Sequence, residues 1–239
     1  YEIGSGLVGS EMCIRDRLRR TACEGGYFSY VAGVASYINE HYSVGGLRIH
    51  ITRRTLPMKS GLSSSAAICV LTARGFNRIY KLKLNTLGEM NIAFIGEQRT
   101  PSRCGRLDQA CAFGVKPVHM TFDSNEVDVE PITLGGTFYW VIADLKAGKD
   151  TIKILSDLNK CYPFAENDRE RAVHEALGAD NREYIERAAG LLTEGNAEGL
   201  GALMREVQEN FDKKVAPASP KELAAPVLHS AVSYTHLRA

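Results

Sequence analysis

Three short stretches of this chain carry side chains whose type and spacing suit chemistry on anions and hydroxyls. The first is Pro57-Met58-Lys59-Ser60-Gly61-Leu62-Ser63-Ser64-Ser65-Ala66-Ala67. Gly61 lets the backbone turn or approach a ligand without a Cβ, and three consecutive serines supply hydroxyl donors and metal ligands. Where such a loop runs into a helix, free N–H groups and the positive end of the helix dipole make an anion site, most often for phosphate. It is not a Walker A loop, because no Gly-Lys-Ser/Thr follows the glycine at the required offset. A serine N-cap is the plain alternative, although one cap does not need three serines. The second stretch holds Glu97, which projects from the apolar face marked by Leu87, Met90, Ala93 and Phe94. A carboxylate there needs a partner, either Arg99 or Arg103 in an ion pair or a bound cation. The third holds Asp108, after Gly105 and before the apolar segment Gln109–Phe113. That aspartate either caps the segment or acts on a substrate hydroxyl.

The elements that must position these groups are readable from periodicity. Leu47, Ile49 and Ile51 alternate with Arg48, His50 and Thr52, which predicts a half-buried strand before the serine loop. Ile68, Leu71, Gly75, Phe76 and Ile79 predict an amphipathic helix after it. Thr86-Leu87-Gly88-Glu89 fits a capping box opening the Glu97 helix. Tyr27, Val31, Val34, Ala35 and Ile38 mark a helical stripe within Gly26–Tyr42. Val118, Met120 and Phe122 alternate in a strand, with 127–134 as its hairpin partner. Phe138–Ala143 is a continuous apolar run that reads as a buried strand, and Asp144–Thr151 leaves it with Lys146 and Lys149. Residues 170–192 predict one long helix, and Leu200, Leu203, Met204, Val207 and Phe211 another. Pro217, Pro220 and Pro226 interrupt the remainder, with a short helix start at Lys221–Ala225. Strands with interspersed helices, then mostly helices, indicate an α+β chain.

Composition excludes several classes. A formal net charge of +1 over 239 residues gives no electrostatic case for nucleic acid or an anionic membrane surface. No apolar run reaches the length of a membrane-spanning helix. The six cysteines, at 13, 23, 69, 104, 111 and 161, have no paired spacing. They read as reduced thiols of a cytoplasmic protein, with Cys104 and Cys111 as packing residues.

Pro57–Ala67 resembles the central phosphate-binding motif of the galactokinase, homoserine kinase, mevalonate kinase and phosphomevalonate kinase (GHMP) superfamily, Pro-x-x-x-Gly-Leu-Gly/Ser-Ser-Ser-Ala. Phe94-Ile95-Gly96-Glu97 resembles its metal-binding helix, and Cys104-Gly105-Arg106-Leu107-Asp108-Gln109 its catalytic segment in the galactokinase-like Asp-Gln form. The resemblance implies a two-domain fold, with a mixed-sheet N-terminal ATP-binding domain over 18–149 and a partial ferredoxin-like C-terminal domain over 150–230. It implies ATP and Mg²⁺ as cofactors and a sugar as acceptor, phosphorylated at the anomeric position, in a monomer or homodimer. Pro57, Lys59, Ser60, Gly61, Leu62, Ser63, Ser64, Ser65 and Ala66 are then the nucleotide-phosphate cradle. Ser65 and Glu97 are the Mg²⁺ ligands, Asp108 the catalytic acid-base group, and Lys149 (or Lys146) a basic group near the transferring phosphate. A non-catalytic sensor that binds sugar and nucleotide on the same scaffold is the alternative. Residues 1–17 and 231–239 read as non-native, adapter-like sequence. The family's first motif and its C-terminal glycine-rich third motif are expected to be missing from the intervening stretch, which puts activity of the chain alone in doubt.

Overall fold

A computed structural model of the chain describes residues 8–26, 28–53, 55–56, 62–102, 104–123, 126–142 and 151–223, the side chains of 8–13 and 151–152 aside. Two compact units divide it, Tyr1–Val115 and Lys116–Ala239. The first is helical among its described residues: α1 (Val8–Glu24), α2 (Ser29–His41), α3 (Ser64–Tyr80), α4 (Thr86–Gln98) and a 3₁₀ helix, Leu107–Phe113. Its core forms where the apolar stripes of α2, α3 and α4 meet. Val34, Ala35, Ile38, Cys69, Ala73, Phe76, Met90 and Ala93 are each fully buried there. Helix α1 joins through Leu18 and Ala22, which are buried, while Arg15, Asp16 and Arg17 before them are exposed.

Two glycines set how closely α2 and α4 approach. A Cβ on Gly33 would lie 2.2 Å from the Gly96 carbonyl oxygen, and one on Gly96 would lie 2.6 Å from the Val34 Cα. Only hydrogen fits at either position, so the backbones themselves touch. Beyond the crossing, Arg99 donates to both carboxylate oxygens of Glu40, at 2.6 and 2.9 Å, and to Ser36 Oγ at 2.9 Å. Arg19 adds a third bond to Glu40 at 2.9 Å. These contacts hold the Glu40 carboxyl down at about 2, through the Arg99 hydrogen bond first and Arg19 after it.

The second unit contains the one sheet among the described residues. Strands β1 (Val118–Asp123) and β2 (Glu126–Pro131) pair antiparallel with Met120 opposite Val129, as the alternation predicts. Helices α5 (Thr151–Asn159), α6 (Asp168–Glu175), α7 (Asn181–Glu194), α8 (Ala197–Lys214) and α9 (Pro220–Leu223) follow, with a short 3₁₀ turn at Ala216–Ala218. The long helix expected over 170–192 is α6 and α7 joined by a π turn at Ala176–Asp180, so the path stays helical but its register shifts at Gly178. Gly195 ends α7 with φ +74° and packs its backbone against Gly135, whose N–H donates to the Leu192 carbonyl at 3.0 Å.

The two expected strands in the runs 47–52 and 138–143 are corrected. In the first, Arg48 alone has a bridge assignment and the rest is irregular, with Leu47 buried and Ile51 44% exposed. In the second, residues 137–142 form no strand, and Tyr139 and Val141 are 91% and 96% exposed. Ala143 lies outside the described residues. An apolar run becomes a buried strand only when neighbours supply both hydrogen bonds and cover, and the exposure of Tyr139 and Val141 shows that cover is lacking in the second run. The mixed sheet expected of the first unit is likewise not found among its described residues, so α+β holds in the coarse sense of a helix-rich chain with one two-stranded sheet. No helix among the described residues is long and apolar enough to cross a membrane.

Candidate functional site

Helices α3 and α4 and the 3₁₀ helix pack on one another, and the serine stretch, Glu97 and Asp108 sit on these three elements. A polar clamp binds the three together. Arg74 of α3 donates through Nε to Glu89 Oε2 of α4 at 2.7 Å and through Nη2 to the carbonyl of Ala112 at 2.7 Å. Asn77 of α3 holds the other Glu89 oxygen at 2.8 Å. Glu89 is therefore a buried tie between helices rather than the end of a capping box. The N-cap of α4 is Asn85, one residue earlier than the sequence suggests, because its side chain reaches the Gly88 N–H at 2.8 Å.

The start of α3 is unusual. Ser63 occupies the N-cap with φ 50° and ψ 44°, the left-handed region, and its side chain makes no capping hydrogen bond. A left-handed residue with a Cβ is strained by about 1–2 kcal/mol, and such strain gathers at ligand-binding turns. The plain N-cap reading of the serines is thus not met at Ser63. Ser64 and Ser65 follow in the first turn, both half-buried, Leu62 is 37% exposed, and Ala66 is fully buried. Pro57, Lys59, Ser60 and Gly61 lie outside the described residues, as do Lys146 and Lys149.

Glu97 is fully buried near the end of α4. Its Oε2 accepts a hydrogen bond from Gln109 Nε2 at 2.8 Å, while its Oε1 is buried without a hydrogen-bond partner. The ion pair with Arg99 is not formed, since Arg99 is engaged by Glu40. Arg103 lies outside the described residues. Gln109, itself fully buried, also donates to Cys104 Sγ at 3.2 Å and keeps its own Oε1 without a partner. Asp108, the residue before it, is exposed in the first turn of the 3₁₀ helix. Gln98 Nε2 adds a bond from α4 to the Cys104 carbonyl.

Three thiols surround this junction. Burial, with the Glu97 charge second, pushes the Cys69 thiol far up, and burial pushes Cys104 up to about 12. Burial and the Asp108 charge also raise Cys111. They therefore remain neutral thiols near neutral pH. Cys111 is solvent-exposed, which corrects its reading as a packing residue, while Cys69 is buried against α2 with its Sγ 3.9 Å from the Tyr30 carbonyl. Sequence reasoning missed the Gly33–Gly96 crossing, the Arg74–Glu89 clamp and any role for Gln109. A polar residue directly after Asp108 at the head of an apolar segment was the available signal for the last.

Residues 29–115 match the GHMP kinases N terminal domain, and the match ends at the residue that closes the first compact unit. The chain is similar to a galactokinase of Pyrococcus furiosus, 37% identical over 112 residues, 46% of this chain and 32% of that protein. A galactokinase of Thermotoga petrophila is 34% identical over 108 residues, 44% of this chain and 31% of its own length. Likeness beyond the GHMP domain comes from a galactokinase of Thermococcus kodakarensis, 30% identical over 209 residues, 76% of this chain and 59% of that protein. The chain thus spans about a third of the first two relatives and under two thirds of the third.

Proposed function

We propose that the protein is an ATP-dependent small-molecule kinase, galactokinase-like, that transfers the γ-phosphate of ATP to the anomeric hydroxyl of a sugar. The observation that carries the reading is the buried Glu97 carboxylate. One oxygen is held by the residue next to Asp108 and the other has no hydrogen-bond partner. A buried carboxylate oxygen without a donor suits a cation. No group of three or more His, Cys, Asp or Glu ligands exists among the described residues, which fits Mg²⁺, since it needs one or two protein ligands and takes phosphate oxygens and water for the rest. Glu97 and Ser65 would hold it, and it would supply positive charge against the phosphates of the nucleotide.

The chain's own groups divide the remaining work. The N–H groups at the start of α3 and the hydroxyls of Ser63, Ser64 and Ser65 serve as an anion cradle for the nucleotide phosphates, a role also assigned to Pro57, Lys59, Ser60, Gly61, Leu62 and Ala66. Asp108, exposed where an acceptor can reach it, orients the sugar hydroxyl and takes its proton. Lys149 neutralises the transferring phosphate. In-line phosphoryl transfer through a loose transition state needs positioning and charge stabilisation above all, and these roles supply both.

A screen for ATP consumption across neutral and acidic monosaccharides tests the proposal. One preferred acceptor is expected, with Asp108→Asn losing turnover while nucleotide binding is retained. Nucleotide and sugar binding without turnover in the unsubstituted protein would instead favour the sensor on the same scaffold.

A further inference from the structure

We infer that Gln109 is a positioning residue of this site, fixing the Glu97 carboxylate so that its second oxygen faces a divalent cation. The inference rests on the kinase reading above. Gln109 is fully buried, and its amide nitrogen serves two acceptors, Glu97 Oε2 at 2.8 Å and Cys104 Sγ at 3.2 Å. An amide nitrogen carries two hydrogens, so its donor capacity is used up. That fixes the amide plane against α4 on one side and the 104–109 segment on the other. A carboxylate anchored through one oxygen has its other oxygen fixed as well, and here that oxygen has no hydrogen-bond partner. Leaving a buried acceptor empty is unfavourable, so the orientation is maintained against a local penalty.

Glutamine suits the task by elimination. A carboxylate at position 109 would face Glu97 with like charge, and an aliphatic side chain would leave Glu97 without a donor. The same side chain belongs to the turn that carries Asp108, and the Gln98 to Cys104 bond ties that segment to α4 a second time. Gln109 therefore joins the acid that holds the metal to the helix that presents the proton acceptor. Partners that orient a metal ligand commonly alter metal affinity about 10- to 100-fold when removed.

The test is Mn²⁺ binding followed by electron paramagnetic resonance, with thermal midpoints, in the unsubstituted protein with ATP and in Gln109→Met, Glu97→Gln and the double variant. Gln109→Met should weaken Mn²⁺ about 10- to 100-fold. In the Glu97→Gln background it should change Mn²⁺ affinity no further, because its action passes through Glu97. Should Gln109→Met fail to fold, Gln109→Asn keeps the amide but withdraws it, and the same cycle is read. Weakening by Glu97→Gln with none by the Gln109 variants overturns the inference and leaves the kinase reading standing. Equal weakening by Gln109→Met in both backgrounds overturns it as well, reducing Gln109 to a packing role. No effect of Glu97→Gln, or no Mn²⁺ binding by the unsubstituted protein, overturns the metal role of Glu97 and the inference with it.

Discussion

Glu97 and Asp108 lie on adjoining elements of one helical unit yet meet opposite surroundings. Glu97 is sealed inside, with its backbone trapped at a glycine crossing and one oxygen held by an amide. Asp108 stands at the surface in the first turn of a short helix, after a loop in which a Cβ on Gly105 would meet nothing within 4 Å. On the proposed kinase reading, the difference separates two demands of phosphoryl transfer. A group that fixes a cation gains from rigidity and exclusion of water, whereas a group that takes a proton must remain open to its substrate.

Substitutions at the two acids should separate activity from stability most sharply. Asp108→Asn is expected to lower turnover about 10²- to 10⁴-fold while moving the urea unfolding free energy by no more than about 0.5 kcal/mol. Glu97→Met leaves the Gln109 amide without its carboxylate and should destabilise by about 1–3 kcal/mol. Adding Gln109→Met should recover most of that loss, because two apolar groups of matched shape remove the unsatisfied atoms together. A double variant as unstable as the single one would show that the pair contributes more than mutual satisfaction.

The backbones around each acid give the next contrast. Gly96→Ala drives a Cβ to within 2.6 Å of the Val34 Cα and 2.7 Å of its nitrogen. It should destabilise by about 3 kcal/mol, read as a fall in thermal midpoint. Gly105→Ala should stay within about 0.5 kcal/mol.

Acid titration probes the C-terminal end of α4, where Arg99 meets Glu40 of α2. The Glu40 carboxyl is depressed to about 2 in the folded state, so its contribution is complete above its ordinary value of 4.5 and is lost as pH falls towards 2. Glu40→Gln should flatten the fall in urea midpoint between those limits, and an unchanged slope would locate acid sensitivity elsewhere. A small gain is expected at Ser63. With φ 50°, Ser63→Gly should relieve strain and stabilise by about 1 kcal/mol or less, after the entropy that glycine loses on folding.

The helices and the hairpin were legible because their periodicities are local. Val31, Val34, Ala35 and Ile38 announced α2, and Val118, Met120 and Phe122 announced β1. The expected strands over 47–52 and 138–143 do not form among their described residues, because strand formation is settled by neighbours, which periodicity cannot report. Glu97 drew attention as a carboxylate on an apolar face, but its partner could not be chosen from the sequence. Arg99 stood closer along the chain, yet Glu40, 59 positions away, engages it. Ser63 shows the reverse case. The family pattern allows glycine or serine there, and the left-handed backbone supplies the physical reason for the glycine.

The bare stretch Tyr139-Trp140-Val141-Ile142 carries a practical consequence, with exposures from 61% to 96% on four successive large apolar side chains. Uncharged and without a proline, it is a template for strand pairing between molecules. Concentrated solutions of the isolated chain should therefore turn turbid through this stretch while the helical units are still folded. A lysine in place of Val141 should keep them clear.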